Sequence, residues 1–168
     1  AHLETAIATA PAEPLLARYR DPAYGAAPAP ALAAQARRRL RKACLAALCR
    51  ADARHLALAR RHFHAASNLT DRLAALAVLV NAHDREADAA LEAYAKRHAG
   101  DALVLDKWFA LQATLAEAHT LARVEALTAH AAFRWTNPNN VYALLGAFAL
   151  RNPRAFHRRD GAGYRFIA

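Results

Sequence analysis

The side chains that most often do chemistry are scattered along this chain and do not assemble into a known constellation. The nine histidines are His2, His55, His62, His64, His83, His98, His119, His130 and His157. None has another His or Cys four residues away, and no H-E-x-x-H motif sets two imidazoles and a glutamate base on one helix face. Serine occurs once, at Ser67, outside any G-x-S-x-G turn. Cys44 and Cys49 lie five apart on one predicted helix. That spacing sends them to different faces, Cys44 among apolar positions and Cys49 among polar ones, so unpaired thiols are expected. The carboxylates Asp84, Glu86 and Asp88 sit at a predicted helix start, where the backbone dipole favours them. Gly161 and Gly163 follow no strand and are too few for a phosphate loop. The expectation is a segment with no catalytic residue and no metal site of its own.

The strongest charge signal is ARRRLRK, residues 36–42. Arg37, Arg38, Arg41 and Lys42 make a basic face over more than one helical turn. Phosphate contact is chemically reasonable there. No aromatic residues interleave for base stacking, however, so nucleic acid is disfavoured and a solvated or docking face toward an acidic neighbour is expected. The whole chain carries 23 basic against 14 acidic residues, a formal charge of +9. Hydrophobic residues make up 56%, too many for a disordered chain. No apolar run approaches the roughly 20 residues of a membrane span. The N-terminus lacks a basic-then-apolar leader pattern, so a cytoplasmic location is expected.

These residues must be carried by helices almost throughout. Residues 1–10 have apolar spacing that ends at Pro11, residues 15–19 form a short turn or helix, and DPAYGAAPAP (21–30) is a loop. In 31–50, Ala33, Ala36, Leu40, Ala43, Cys44, Ala47 and Leu48 fall on one predicted inner arc, opposite Gln35, Arg38, Arg41 and Lys42. Further helices are expected at 52–66, 70–81, 84–98, 101–114, 115–130 and 141–150, with the start of another at 163–168. Trp108, Phe109 and Trp135 read as core aromatics, Trp135 stapling the chain before a cap at Asn137-Pro138. Short helices and short turns imply stacked antiparallel pairs with a spacing of about 32–36 residues, an irregular all-α solenoid of the ARM, HEAT or TPR kind.

Four segments are specific in combination: SNLTDRLAAL from Ser67, LVLDKWFALQA from Leu103, TNPNNVYALLGAF from Thr136 and NPRAFHRRDGAGYRF from Asn152. Together they resemble the C-terminal helical domain of the bacterial alanyl aminopeptidase N family, zinc metallopeptidases of the gluzincin type. The resemblance runs from about residue 31 to the end. It divides the chain into an entering helix and Pro-rich loop (1–30) and a helical-repeat domain (31–168). It implies a superhelical array packed over a catalytic domain of the same polypeptide. That domain holds the zinc and releases N-terminal residues from peptides, with metal-activated water attacking the first peptide carbonyl. It also implies that the array covers the active-site chamber and limits which peptides enter.

In that family the segment equivalent to 137–148 lies on the chamber side. Asn137, Asn139, Asn140 and Tyr142 are therefore the implied chamber-lining positions. Family members often carry arginine where this chain has Asn140 and Tyr142, so the implied contact here is uncharged. The family's domain continues beyond the equivalent of GYRF, which implies an incomplete last helix at Ala168. The rival reading from composition alone is a free-standing basic helical-repeat adaptor that binds an acidic protein or nucleic acid.

Overall fold

The computed structural model describes residues 12–21 and 31–168. The expected helix at 1–10 and nearly all of the expected loop at 21–30 lie outside these. Every regular element among the described residues is helical. In chain order they are α1 (Ala12–Arg20), α2 (Ala31–Ala51), a 3-10 turn (Ala53–His55), α3 (Leu56–Ala65) and α4 (Leu69–Asn81). Then come α5 (Ala87–Arg97), α6 (Ala102–Ala113), α7 (Thr120–Thr128), α8 (Pro138–Val141), a π-turn (Tyr142–Gly146), α9 (Ala147–Arg151), α10 (Pro153–Phe156) and α11 (Ala162–Ile167). The chain forms two compact units, Ala1–Ala90 and Leu91–Ala168.

In the first unit α1 packs on α2, and α3 pairs with α4. Leu56, Ala59 and Phe63 of α3 and Ala75, Leu76, Leu79 and Val80 of α4 are buried in this unit. Each fully buried leucine contributes about 1.5–3 kcal/mol relative to exposure. The α3–α4 turn is closed by polar groups. Asn68 Oδ1 accepts from the Asp71 amide at 2.9 Å, and Asn68 Nδ2 donates to Asp71 Oδ2 at 2.9 Å. Arg72 donates from Nε to the Phe63 carbonyl at 3.3 Å and from Nη2 to the Ala66 carbonyl. The guanidinium thus takes up carbonyls that the end of α3 leaves unpaired.

Helix α2 departs from the face its sequence suggests. Its inner side carries Cys44, Leu45, Ala47, Leu48 and Cys49 toward the C-terminal end. Nearer the N-terminus it is Arg38, Arg41 and Lys42 that are half-buried, while Ala36, Leu40 and Ala43 are exposed. Alanine gives little contrast between faces, and the long aliphatic stems of arginine and lysine pack well with the charge at the edge. Cys49, expected on a polar face, is buried as Cys44 is, and neither thiol is in a disulfide.

The second unit is built on α6. Asp101 caps it, its Oδ1 accepting from the Val104 amide at 3.1 Å. Trp108 and Phe109 meet edge to face at 5.1 Å, Phe109 meets Phe133 at 5.8 Å, and Phe133 meets Trp135 at 5.2 Å. Trp108 Nε1 donates to the Leu91 carbonyl at 3.0 Å, which satisfies the one polar atom of that ring. Trp108 and Phe109 are core, as expected. Trp135 is not, being 62% exposed at the outer end of this aromatic series.

The helix expected over 115–130 is shorter. Residues before α7 form a turn in which Thr120 Oγ1 donates to the Leu115 carbonyl at 2.7 Å. A hydroxyl that bonds nearby backbone in this way competes with the helical ladder. At α10, Asn152 accepts from the Ala155 amide through Oδ1 at 3.3 Å. It also donates through Nδ2 to the Ala113 carbonyl at 3.0 Å and the Leu115 carbonyl at 2.7 Å. One side chain therefore caps α10 and ties it to the end of α6. Beyond it, Gly161 has φ +68° and turns the chain into α11. A Cβ placed on Gly163 would stand 2.3 Å from the Phe156 carbonyl oxygen, so the two backbones touch there.

Candidate functional site

The start of α8 is the segment that the sequence singles out, and its geometry follows from three asparagines and a proline. Asn137 is in the extended region, φ −99° and ψ 107°, and its side chain accepts from the Asn139 amide at 3.0 Å. Pro138 follows at the first helical position, where the missing N–H is not needed. Asn137 is half-buried and Asn139 is exposed.

Asn140 points the other way. It is 2% exposed, donates through Nδ2 to Asp106 Oδ1 at 2.6 Å and accepts through Oδ1 from the Arg134 amide at 3.0 Å. Its hydrogen bonds are used inside the unit, so within this structure it is a clamp between α6 and the entry to α8. This corrects the expectation that Asn140 faces outward with its neighbours. The run of three asparagines signalled a cap, but composition alone did not say which of them turns inward.

Tyr142 is 73% exposed and opens the π-turn. Its ring leans along the helix toward Gly146, where an added Cβ would meet Tyr142 Cδ1 at 3.4 Å. The continuous helix that was expected over 141–150 therefore begins earlier, at Pro138, and carries one widened turn. Single π-turns inside α-helices often accompany functional positions. What this surface offers is amide donors and acceptors at Asn137 and Asn139 and an aromatic phenol at Tyr142.

The basic residues of α2 belong to the first unit and are not equivalent. Arg37 is exposed, while Arg38, Arg41 and Lys42 are half-buried. The Arg41 guanidinium lies over the Tyr19 ring, 5.1 Å from its centroid. Tyr19 Oη and His62 Nδ1 are 2.9 Å apart. Burial pushes the Tyr19 hydroxyl above its ordinary pKa, with Arg41 opposing. Burial likewise lowers Lys42, with Asp71 opposing. His62 is depressed by burial first and by Arg41 next. His62 is a buried partner of Tyr19. Of the four residues expected on a solvated or docking face, Arg37 is exposed and the other three are half-buried, with Arg41 against Tyr19 of α1.

Among the described residues, no group of three or more His, Cys, Asp or Glu side chains converges as metal ligands would. Cys49 is pushed up to about 11 by burial, with Asp84 adding to the effect, so it is a poor nucleophile. No helix among the described residues is long and apolar enough to cross a membrane.

Residues 1–168 match the family described as a domain of unknown function (DUF3458_C) with ARM repeats. The chain is 46% identical over 134 residues to aminopeptidase N of Escherichia coli K12, covering 79% of this chain and 15% of that protein. It is 45% identical over 138 residues to aminopeptidase N of Caulobacter vibrioides, covering 81% and 16%. With aminopeptidase N of Haemophilus influenzae the identity is 42% over 110 residues, covering 66% and 13%. Among solved structures it is similar to Legionella pneumophila aminopeptidase A in complex with aspartic acid. That likeness has a TM-score of 0.79 at 32% identity, over 91% of this chain and 18% of that one. The chain thus spans about a seventh of the length of these curated relatives. An all-α array of short capped helices, matched along its whole length, makes this chain a member of the DUF3458_C family of ARM-repeat domains, the kind of C-terminal domain found in bacterial aminopeptidase N.

Proposed function

We propose that the chain is a non-catalytic C-terminal segment of a zinc-dependent, cytoplasmic aminopeptidase. In that role it covers the active-site chamber and limits which peptides reach it. The observation that carries this reading is the 46% identity to aminopeptidase N over most of the chain, combined with a helical surface that offers recognition groups only. The zinc, the catalytic base and the grip on the substrate's free amino group belong to the remainder of the longer polypeptide. What this segment contributes is shape and uncharged contacts at Asn137, Asn139 and Tyr142. Asn140 serves behind them, holding the helix start in place.

The test uses the longer peptidase polypeptide. Tyr142→Ala and Asn139→Ala are expected to change kcat/KM more for peptides of eight or so residues than for a dipeptide, because a longer substrate fills more of the chamber. Equal changes at every peptide length would remove Tyr142 and Asn139 from the chamber wall. Hydrolysis of an alanine anilide by the 168-residue chain alone, abolished by a chelator, would overturn the non-catalytic role.

A further inference from the structure

Helix α2 has two faces that are partly apolar, and the other described helices pack on only one of them. The inner face is closed by α1, α3 and α4. The outer face carries Leu32, Ala36, Leu40 and Ala43, at helical spacings of four, four and three residues. Leu32 is 83% and Leu40 44% exposed. Arg39 and Arg50 stand on the same exposed side.

In a stacked-repeat array each unit contacts its neighbours only, and a terminal helix that must face water carries a polar outer surface. The outer face of α2 does the reverse. The periodicity that marks Ala36, Leu40 and Ala43 as core is therefore explained if a neighbouring repeat covers them. The curated relatives are several times longer than this chain, so a polypeptide of their kind supplies ample chain to do so. The charge balance of 23 basic to 14 acidic residues, with Arg39 and Arg50 on this face, favours a covering surface edged with carboxylates.

We propose that the stripe Leu32, Ala36, Leu40 and Ala43 is the docking face for an amphipathic helix of the same, longer polypeptide, whose apolar side is bordered by carboxylates that meet Arg39 and Arg50. This replaces Arg38, Arg41 and Lys42, which are turned inward, as the docking residues of α2. It rests on the reading that the chain is a segment of a longer peptidase, but not on that peptidase's activity. A nucleic acid is the competing occupant. It fits less well because the largest exposed side chains of the stripe are aliphatic and none is aromatic.

The experiment places a single thiol on the stripe, Leu40→Cys, in the longer polypeptide. Alkylation of residue 40 is followed by peptide mass spectrometry. The reference is Arg54→Cys, at a side chain that is 90% exposed. Residue 40 is expected to react at least tenfold more slowly than residue 54. Equal rates would overturn the proposal, and Ala43→Cys repeats the measurement if Leu40→Cys does not fold. Arg39→Glu is expected to speed alkylation at residue 40 several-fold, whereas Arg39→Lys leaves it slow. No effect of Arg39→Glu would overturn the carboxylate border. Protection that appears only when nucleic acid is added would overturn the helix as occupant. Loss of peptidase activity without loss of protection would count against the proposed function alone.

Discussion

In the first unit the buried polar side chains are His62, Asp71, Arg72 and Asp84; in the second they are Gln112, Thr120, Asn140 and Asn152. Every member of the first set ionises, and no member of the second does. In the first unit Asp84 is paired with an opposite charge, while His62 meets Tyr19, Asp71 meets Asn68 and Arg72 donates to backbone carbonyls. Arg60 grips Asp84 through Nε at 3.0 and 3.2 Å and through Nη2 at 2.7 Å, and the Glu86 amide adds a bond at 3.0 Å. The second unit uses amides and a hydroxyl, bonded to backbone groups, to the Asp106 carboxylate at Asn140 and to the Arg123 guanidinium at Gln112. Ionisable side chains tie the first interior to pH, whereas the amides and hydroxyl buried in the second do not themselves titrate.

The largest expected effect lies in the neutral interior. Asn152→Ala removes the α10 cap and the bond to the Ala113 carbonyl, and leaves the Leu115 carbonyl only the bond from Thr120. It is expected to lower the stability of the second unit by about 2–3 kcal/mol, read by denaturant unfolding. A loss below about 0.5 kcal/mol would mean that water replaces these bonds and that the neutral interior is not what holds this unit.

Acid should separate the units. Burial, then Arg41, holds folded His62 below its ordinary range, and the Arg60 hydrogen bonds hold Asp84 below its own. In both cases the unfolded chain binds the proton more tightly than the folded one. The stability they contribute at neutral pH is therefore lost as the pH falls, for His62 from about 6.5 downward and for Asp84 from about 4 downward. Amide hydrogen exchange at pH 7 and pH 5, corrected for intrinsic rates, is expected to show protection falling in α3 and α4 before α6 and α9. Parallel loss in both units would erase the distinction. The smallest effect is expected at the surface. Tyr142→Ala should change stability by no more than about 0.5 kcal/mol, since the ring stands in solvent. A loss several times larger, seen as a lower Tm, would make Tyr142 part of the second unit's packing.

Most helix positions and the cap at Asn137 were legible from local chemistry. Asn68, Asp101, Asn137 and Asn152 each occupy the cap that their side chain can serve. What was not legible depends on partners distant in sequence. The inner face of α2 is set by α1 lying over Arg41, and an alanine-rich helix has too little contrast to choose between two faces. Asn140 and Asn139 are adjacent and alike, and only Asp106 on α6 makes one of them a clamp. Trp135 read as core because tryptophan usually is, yet Phe133 already fills the place beside Phe109. The chamber-lining surface came from resemblance to a family rather than from spacing, since recognition by amides and a phenol leaves no motif.

The contact of Gly163 with the Phe156 carbonyl bears on how this chain can vary by inheritance. Every other amino acid carries a Cβ, and here that atom would fall 2.3 Å from backbone, which no rotamer change relieves. At most positions a missense change is tolerated or not according to the side chain it brings. At codon 163 the nature of the newcomer is irrelevant: any replacement forces α10 and α11 apart, so alanine should be as poorly inherited there as tryptophan.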